Sequence, residues 1–79
     1  AYDPAAETLY FTTNAYSYRN LEAFDLRTGK ARTVLDDARI GDLAFNPADR
    51  SLWGIRRNRG FVILVRLPHP YTEYKTKSL

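Results

Sequence analysis

The chain has 79 residues, 12 Lys+Arg against 9 Asp+Glu for a formal net charge of +3, one histidine and no cysteine. That length holds one small domain, below the roughly 100–150 residues of a typical one, which buries only about 60% of its extended-chain surface. Without cysteine there is no disulfide frame or Cys-ligated zinc, one histidine is too few for a histidine metal centre, and residues 61–65, the longest apolar run, are too short to cross a bilayer.

In chain order the elements read as strands. Candidate segments lack helical periodicity, are short and rich in β-branched and aromatic residues, and are separated by turn formers. Ala1-Tyr2 reads as the end of an innermost strand, followed by a corner at Asp3-Pro4, where an Asx side chain bonds the backbone two residues on and Pro presets φ. Residues 8–13 and 20–26 are strands around a loop, 14–19. Arg27-Thr28-Gly29-Lys30 is a type I hairpin turn with Gly29 left-handed, and 31–35 is the next strand. Residues 36–39 connect to a strand at 40–45 and a second corner, Asn46-Pro47. Strands at 51–56 and 61–67 flank a tight turn, Asn58-Arg59-Gly60; Pro68-His69-Pro70 forms a further tip, and 71–77 alternate like a strand with one wet side.

This predicts an all-β chain of about seven antiparallel strands in two sheets, with no helix longer than two turns. The expected core is Leu9, Phe24, Leu43, Phe45, Leu52, Trp53, Ile55, Val62 and Leu64. Residues 61–65 are continuously apolar, which predicts cover on both sides of that strand.

The chain also repeats itself. A shift of 43 lays residues 1–10 on 44–53, and after a two-residue shortening of the loop, 21–26 on 62–67. A period near 43 lies in the range of a four-stranded propeller blade. The segments 21–30 and 42–52 resemble the WD-like repeats of TolB-type proteins and of prolyl-oligopeptidase-type propeller domains. Asp25, Thr28, Gly29 and Lys30 match one hairpin motif of those families. Phe45, Pro47, Ala48, Asp49 and Arg50 match another, with Asn46 for Ser, one inserted residue and no Gly.

The resemblance implies a β-propeller fragment of two consecutive blades: strands B, C and D of the first in residues 1–37, and strands A to D of the second in 38–79. The first blade then lacks its innermost strand and leaves the edge at 8–13 unpaired. Propellers close with about four to eight blades, so the resemblance implies a piece of a longer chain, or several copies. The start at Ala1, without Met or a leader pattern, carries the same expectation. A bacterial periplasmic or envelope setting and protein partners are implied by the TolB likeness alone.

Charge is uneven. Residues 1–49 hold five basic and eight acidic groups, and 50–79 hold seven basic and one acidic. Such a basic segment can attract nucleic acid, but the two halves can also attract each other or neighbouring structure, and nucleic acid is not the expected partner. Catalysis has no support: Asp36, Asp37 and Asp42 lack calcium-loop spacing, His69 sits at a hairpin tip with no local partner, and no serine has a G-x-S-x-G setting. No cofactor and no metal are expected. The best binding face joins Tyr16 and Tyr18, Asp37 and Arg39, and Arg57 and Arg59, on loops expected at one end of the sheets, where arginine forks grip carboxylates and aromatics stack.

Three functions follow. The first is a non-catalytic propeller scaffold that binds a protein or ligand and, when isolated, self-associates or binds the remaining blades. The second is a propeller portion supporting an oligopeptidase-type catalytic domain, and the third a basic β-barrel on nucleic acid.

Overall fold

The computed structural model describes residues 1–13, 20–58, 60–73 and 75–78. They are all-β, with no helix among them, and form two four-stranded antiparallel sheets. The first contains β1 (Tyr2–Asp3), β2 (Thr8–Thr12), β3 (Leu21–Asp25) and β4 (Lys30–Leu35). The second contains β5 (Gly41–Asn46), β6 (Ser51–Asn58), β7 (Phe61–Leu67) and β8 (Lys75–Ser78). Each sheet is a meander in which every strand pairs with its sequence neighbours.

The turns are those the residues dictate. Asp3 Oδ1 accepts the Ala5 and Ala6 amides at 3.1 and 3.3 Å, and Asn46 Oδ1 accepts the Ala48 amide at 3.0 Å. Both corners end on a left-handed residue that is not glycine: Glu7 at φ 49° and Arg50 at φ 60°. Arg50 thus occupies the place that glycine takes in the resembling motif. In the β3–β4 turn Gly29 has φ 72°, and the Asp25 carboxylate accepts the Arg27 amide at 2.8 Å. No atom lies within 4 Å of where a Gly29 Cβ would stand. Gly29→Val is therefore expected to cost about 1–2 kcal/mol from backbone strain alone, and a urea midpoint equal to the wild type would rule that conformation out.

Strand pairing refines the repeat. Tyr2↔Leu9, Tyr10↔Ala23, Thr12↔Leu21 and Ala23↔Arg32 in the first sheet recur as Phe45↔Leu52, Trp53↔Arg66, Ile55↔Leu64 and Arg66↔Lys75 in the second. Each number rises by 43. The two-residue shortening is therefore absent from the structure: Leu21 corresponds to Leu64, not Val62. The second hairpin instead runs further, to Asn58↔Phe61.

The sheets pack through opposite faces. Tyr10, Leu21 and Ala23 of the first meet Leu52, Val65 and Leu67 of the second, with Ala38, Ile40 and Tyr71 completing the buried core. Of the expected core only Leu52 is fully buried. Leu9 and Val62 are exposed, and Phe24, Leu43, Phe45, Trp53, Ile55 and Leu64 are half-buried. The physical reason is that the described residues form two layers: the fold is 17 Å thin, and stacked sheets stand about 10 Å apart, so among those residues no third layer covers the outward faces. For the same reason the apolar run of β7 is covered on one side only, leaving Val62 on the outward face 36% exposed; Phe61, on the core-facing side, is 68% exposed because it lies at the hairpin end of the strand.

Two further expectations change. The edge of β2 is covered over its first half, because β1 pairs with Thr8 and Leu9, and Ala1 and Tyr10 exchange backbone hydrogen bonds. The last strand starts at Lys75 rather than at residue 71. Tyr71, at φ 73°, turns its ring into the core instead.

Candidate functional site

Strand directions place the connection 36–40 and the end of the β6–β7 hairpin at one end of the sheets. β4 finishes at Leu35, paired with Leu21 where β2 ends, and β5 begins at Gly41, paired with Ile55. Tyr16, Tyr18 and Arg59 of the expected binding face lie outside the described residues. Asp37, Arg39 and Arg57 are described, and all three are exposed.

Asn20 anchors this end: its carbonyl accepts the Thr13 amide at 3.0 Å, and its side-chain Oδ1 accepts the Asp37 amide at 2.9 Å. The base of the loop 14–19 is thereby tied to the connection 36–39. Arg39 Nε donates to Asp37 Oδ1 at 2.6 Å, so this arginine is committed to a neighbour two residues away. Arg57 has no acidic partner among the described residues. Asp37, Arg39 and Asp42 all hold left-handed backbone, at φ 51°, 53° and 53°. Such conformations cost energy at each non-glycine residue, and they gather where a loop is held in a particular shape.

The opposite end holds a network that periodicity did not reveal. The buried Asp3 carboxylate receives Arg50 Nη2 at 3.2 Å, and the Tyr71 hydroxyl donates to the Arg50 carbonyl at 2.7 Å. The Tyr71 ring meets Tyr10 edge-on at 4.9 Å, joining the sheets. Burial, and then the nearby Tyr10, push the Tyr71 phenol well above the usual tyrosine range, so it stays neutral. The legible signal was the pairing of Asp3 with Asn46 in the repeat. Arg50 and Tyr71 carried none.

Asp49 accepts the Ser51 hydroxyl at 2.6 Å, the Ser51 amide at 3.0 Å and Arg66 Nη2 at 3.0 Å, while Trp53 Nε1 donates to Ser51 Oγ at 2.8 Å. A serine hydroxyl on a carboxylate has the outline of a nucleophile and its base. The hydrogen bond from Ser51 and the Arg66 contact, however, lower the Asp49 carboxyl from 3.8 to about 2, which makes it a very poor base, and Ser51 is wholly buried. The pair is a turn lock. Because the folded-state value is depressed, its contribution to stability is complete above about pH 4 and is lost as pH falls from 3.8 towards 2. A carboxyl titration followed by nuclear magnetic resonance should place the Asp49 midpoint near 2, and Asp49→Asn should remove part of the acid sensitivity in that window; a midpoint near 4 would refute the lock.

A shallow groove of about 170 Å³ lies between Thr8, Asp25, Thr28, Lys30 and Arg32, at the end away from the loop cluster. Alternation along β4 puts Lys30 and Arg32 on one side of the strand, a signal present in the sequence. Among the described residues no buried side-chain nitrogen or oxygen lacks a partner, and no three metal-ligating side chains cluster. Among the described residues the arrangement offers exposed loops at one end and a shallow groove at the other as surfaces for binding.

No family model, no curated protein and no solved structure matches this chain.

Proposed function

We propose that the chain is a non-catalytic scaffold segment of a β-propeller of the TolB type, two consecutive blades that present their loop end to a protein or peptide ligand. One observation carries the reading: pairing register and the left-handed corners repeat at a constant 43 residues, while the two sheets meet through opposite faces. Repeats stacked in one direction are how propeller blades assemble, and two are fewer than the roughly four to eight needed to close. The missing blades come from outside these 79 residues. At the loop end, Arg57 offers a guanidinium fork to a carboxylate beside the anchored 36–39 connection. A nucleic-acid barrel is disfavoured, because neither sheet closes on itself.

The test is a nuclear magnetic resonance titration with an acidic peptide and, separately, with single-stranded DNA. Saturable shifts at residues 36–39 and 56–60 with the peptide, persisting at physiological salt, support the reading. Shifts only with DNA, abolished by added salt, replace it with the nucleic-acid one. No response to either at millimolar concentration, or hydrolysis of a peptide substrate, overturns it.

A further inference from the structure

We propose that copies of this chain dock head to tail, the outward face of the first sheet in one copy seating on the outward face of the second sheet in the next. The proposal rests on the stacked-repeat reading and adds the partner. Inside the chain, one type of face already meets its complement: Tyr10, Leu21 and Ala23 against Leu52, Val65 and Leu67.

Moved back by 43, the second group becomes Leu9, Glu22 and Phe24. These three share the outward face of the first sheet, since Leu9↔Phe24 and Phe11↔Glu22 are cross-strand pairs. Tyr2, Leu9 and Phe11 there are 42%, 39% and 41% exposed. Moved forward by 43, the first group becomes Trp53, Leu64 and Arg66, on the outward face of the second sheet. The two bare faces are thus the two halves of an interface that the chain makes once internally, and the surface that fits each is the other end of a second copy.

Charge points the same way. Glu22 stands at the position of Val65 on the first open face, while the second carries Arg66, which also binds Asp49, at the position of Ala23 and Arg57 opposite Val62, so the two open faces carry opposite signs. Opposite signs favour head-to-tail contact, and like signs disfavour pairing a face with its own kind. Such an interface is heterologous and yields a ring if the rotation closes, or an open chain if it does not. With two sheets per copy, about two to four copies would make a ring of four to eight blades.

The experiment is sedimentation equilibrium on the whole 79-residue chain at micromolar concentration, with two variants. Leu9→Asp spoils the first face and Val62→Asp the second. The wild type is expected to associate, each variant alone to sediment as a monomer with its dissociation constant raised at least tenfold, and the equimolar mixture to form a 1:1 complex through the two intact faces. A monomeric wild type overturns the proposal. So does a Val62→Asp variant that still dimerises, which would mean first face on first face, and so does a mixture that stays monomeric. Circular dichroism establishes that each variant is folded, and the milder pair Leu9→Ser and Val62→Thr replaces any that is not. Sedimentation reads association alone, whereas the peptide titration reads the loop end, so either proposal can fail without the other.

Discussion

Tyr71→Ala is expected to remove a large share of the chain's stability. The ring is 1% exposed, lies edge-on to Tyr10, and sits on the far side of a turn from β7, so it closes the core between sheets that share no strand. Truncating a buried aromatic costs about 3–5 kcal/mol. At roughly 0.05–0.15 kcal/mol per residue, 79 residues have about 4–12 kcal/mol in total, so the loss consumes a large share. Tyr71→Phe keeps the ring and removes the hydroxyl with its bond to the Arg50 carbonyl, which should cost about 1 kcal/mol. Urea unfolding of the two variants checks both values. Equal small losses would mean that the ring is not packed between the sheets.

Gly54→Ala is the second, and here the sign is the test. In an open strand, alanine is better than glycine by about 0.5–1 kcal/mol because it restricts the unfolded chain. Gly54 is not open: an added Cβ would overlap the Ile40 Cγ2 methyl and stand 3.0 Å from the Gly41 carbonyl oxygen and 3.3 Å from Leu43 Cδ2. Ile40 is fully buried and its branch methyl cannot swing aside, so overpacking should destabilise by about 1–3 kcal/mol. Ile40→Ala alone costs about 2–5 kcal/mol. The double variant should cost less than the sum by about 1 kcal/mol or more, because removing the branch makes room for the new methyl. A stabilised Gly54→Ala chain would show that Ile40 packs elsewhere.

Local chemistry made most of the strands and turns legible. β7 spans Phe61–Leu67, the bounds read from its residues, the Asp3-Pro4 and Asn46-Pro47 corners form the expected Asx turns, and Gly29 and Gly60 take the left-handed conformations their turns require. Each depends on a few adjacent residues: the Asx side chains bond their own backbone, and the glycines lack the Cβ that penalises positive φ. Of the candidate binding face, the common end of the sheets shared by Asp37, Arg39 and Arg57 follows from strand order. That Arg39 is bonded to Asp37 does not, because it depends on two left-handed residues that no glycine announces.

Alternation along the strands also determined which residues share a face, and hence that each sheet has two apolar sides. Which side becomes the core was decided only when the sheets met. Leu9 and Leu52 are the same residue at equivalent positions 43 apart, yet one is 39% exposed and the other wholly buried, because the Leu52 side has a neighbour and the Leu9 side has none. Burial is a property of what stands opposite, and period and propensity carry no record of it. Tyr71 shows the same limit from the other direction: its strand-like surroundings predict a ladder position, but a turn at Pro68 brings the ring edge-on to Tyr10, which places more apolar surface out of water.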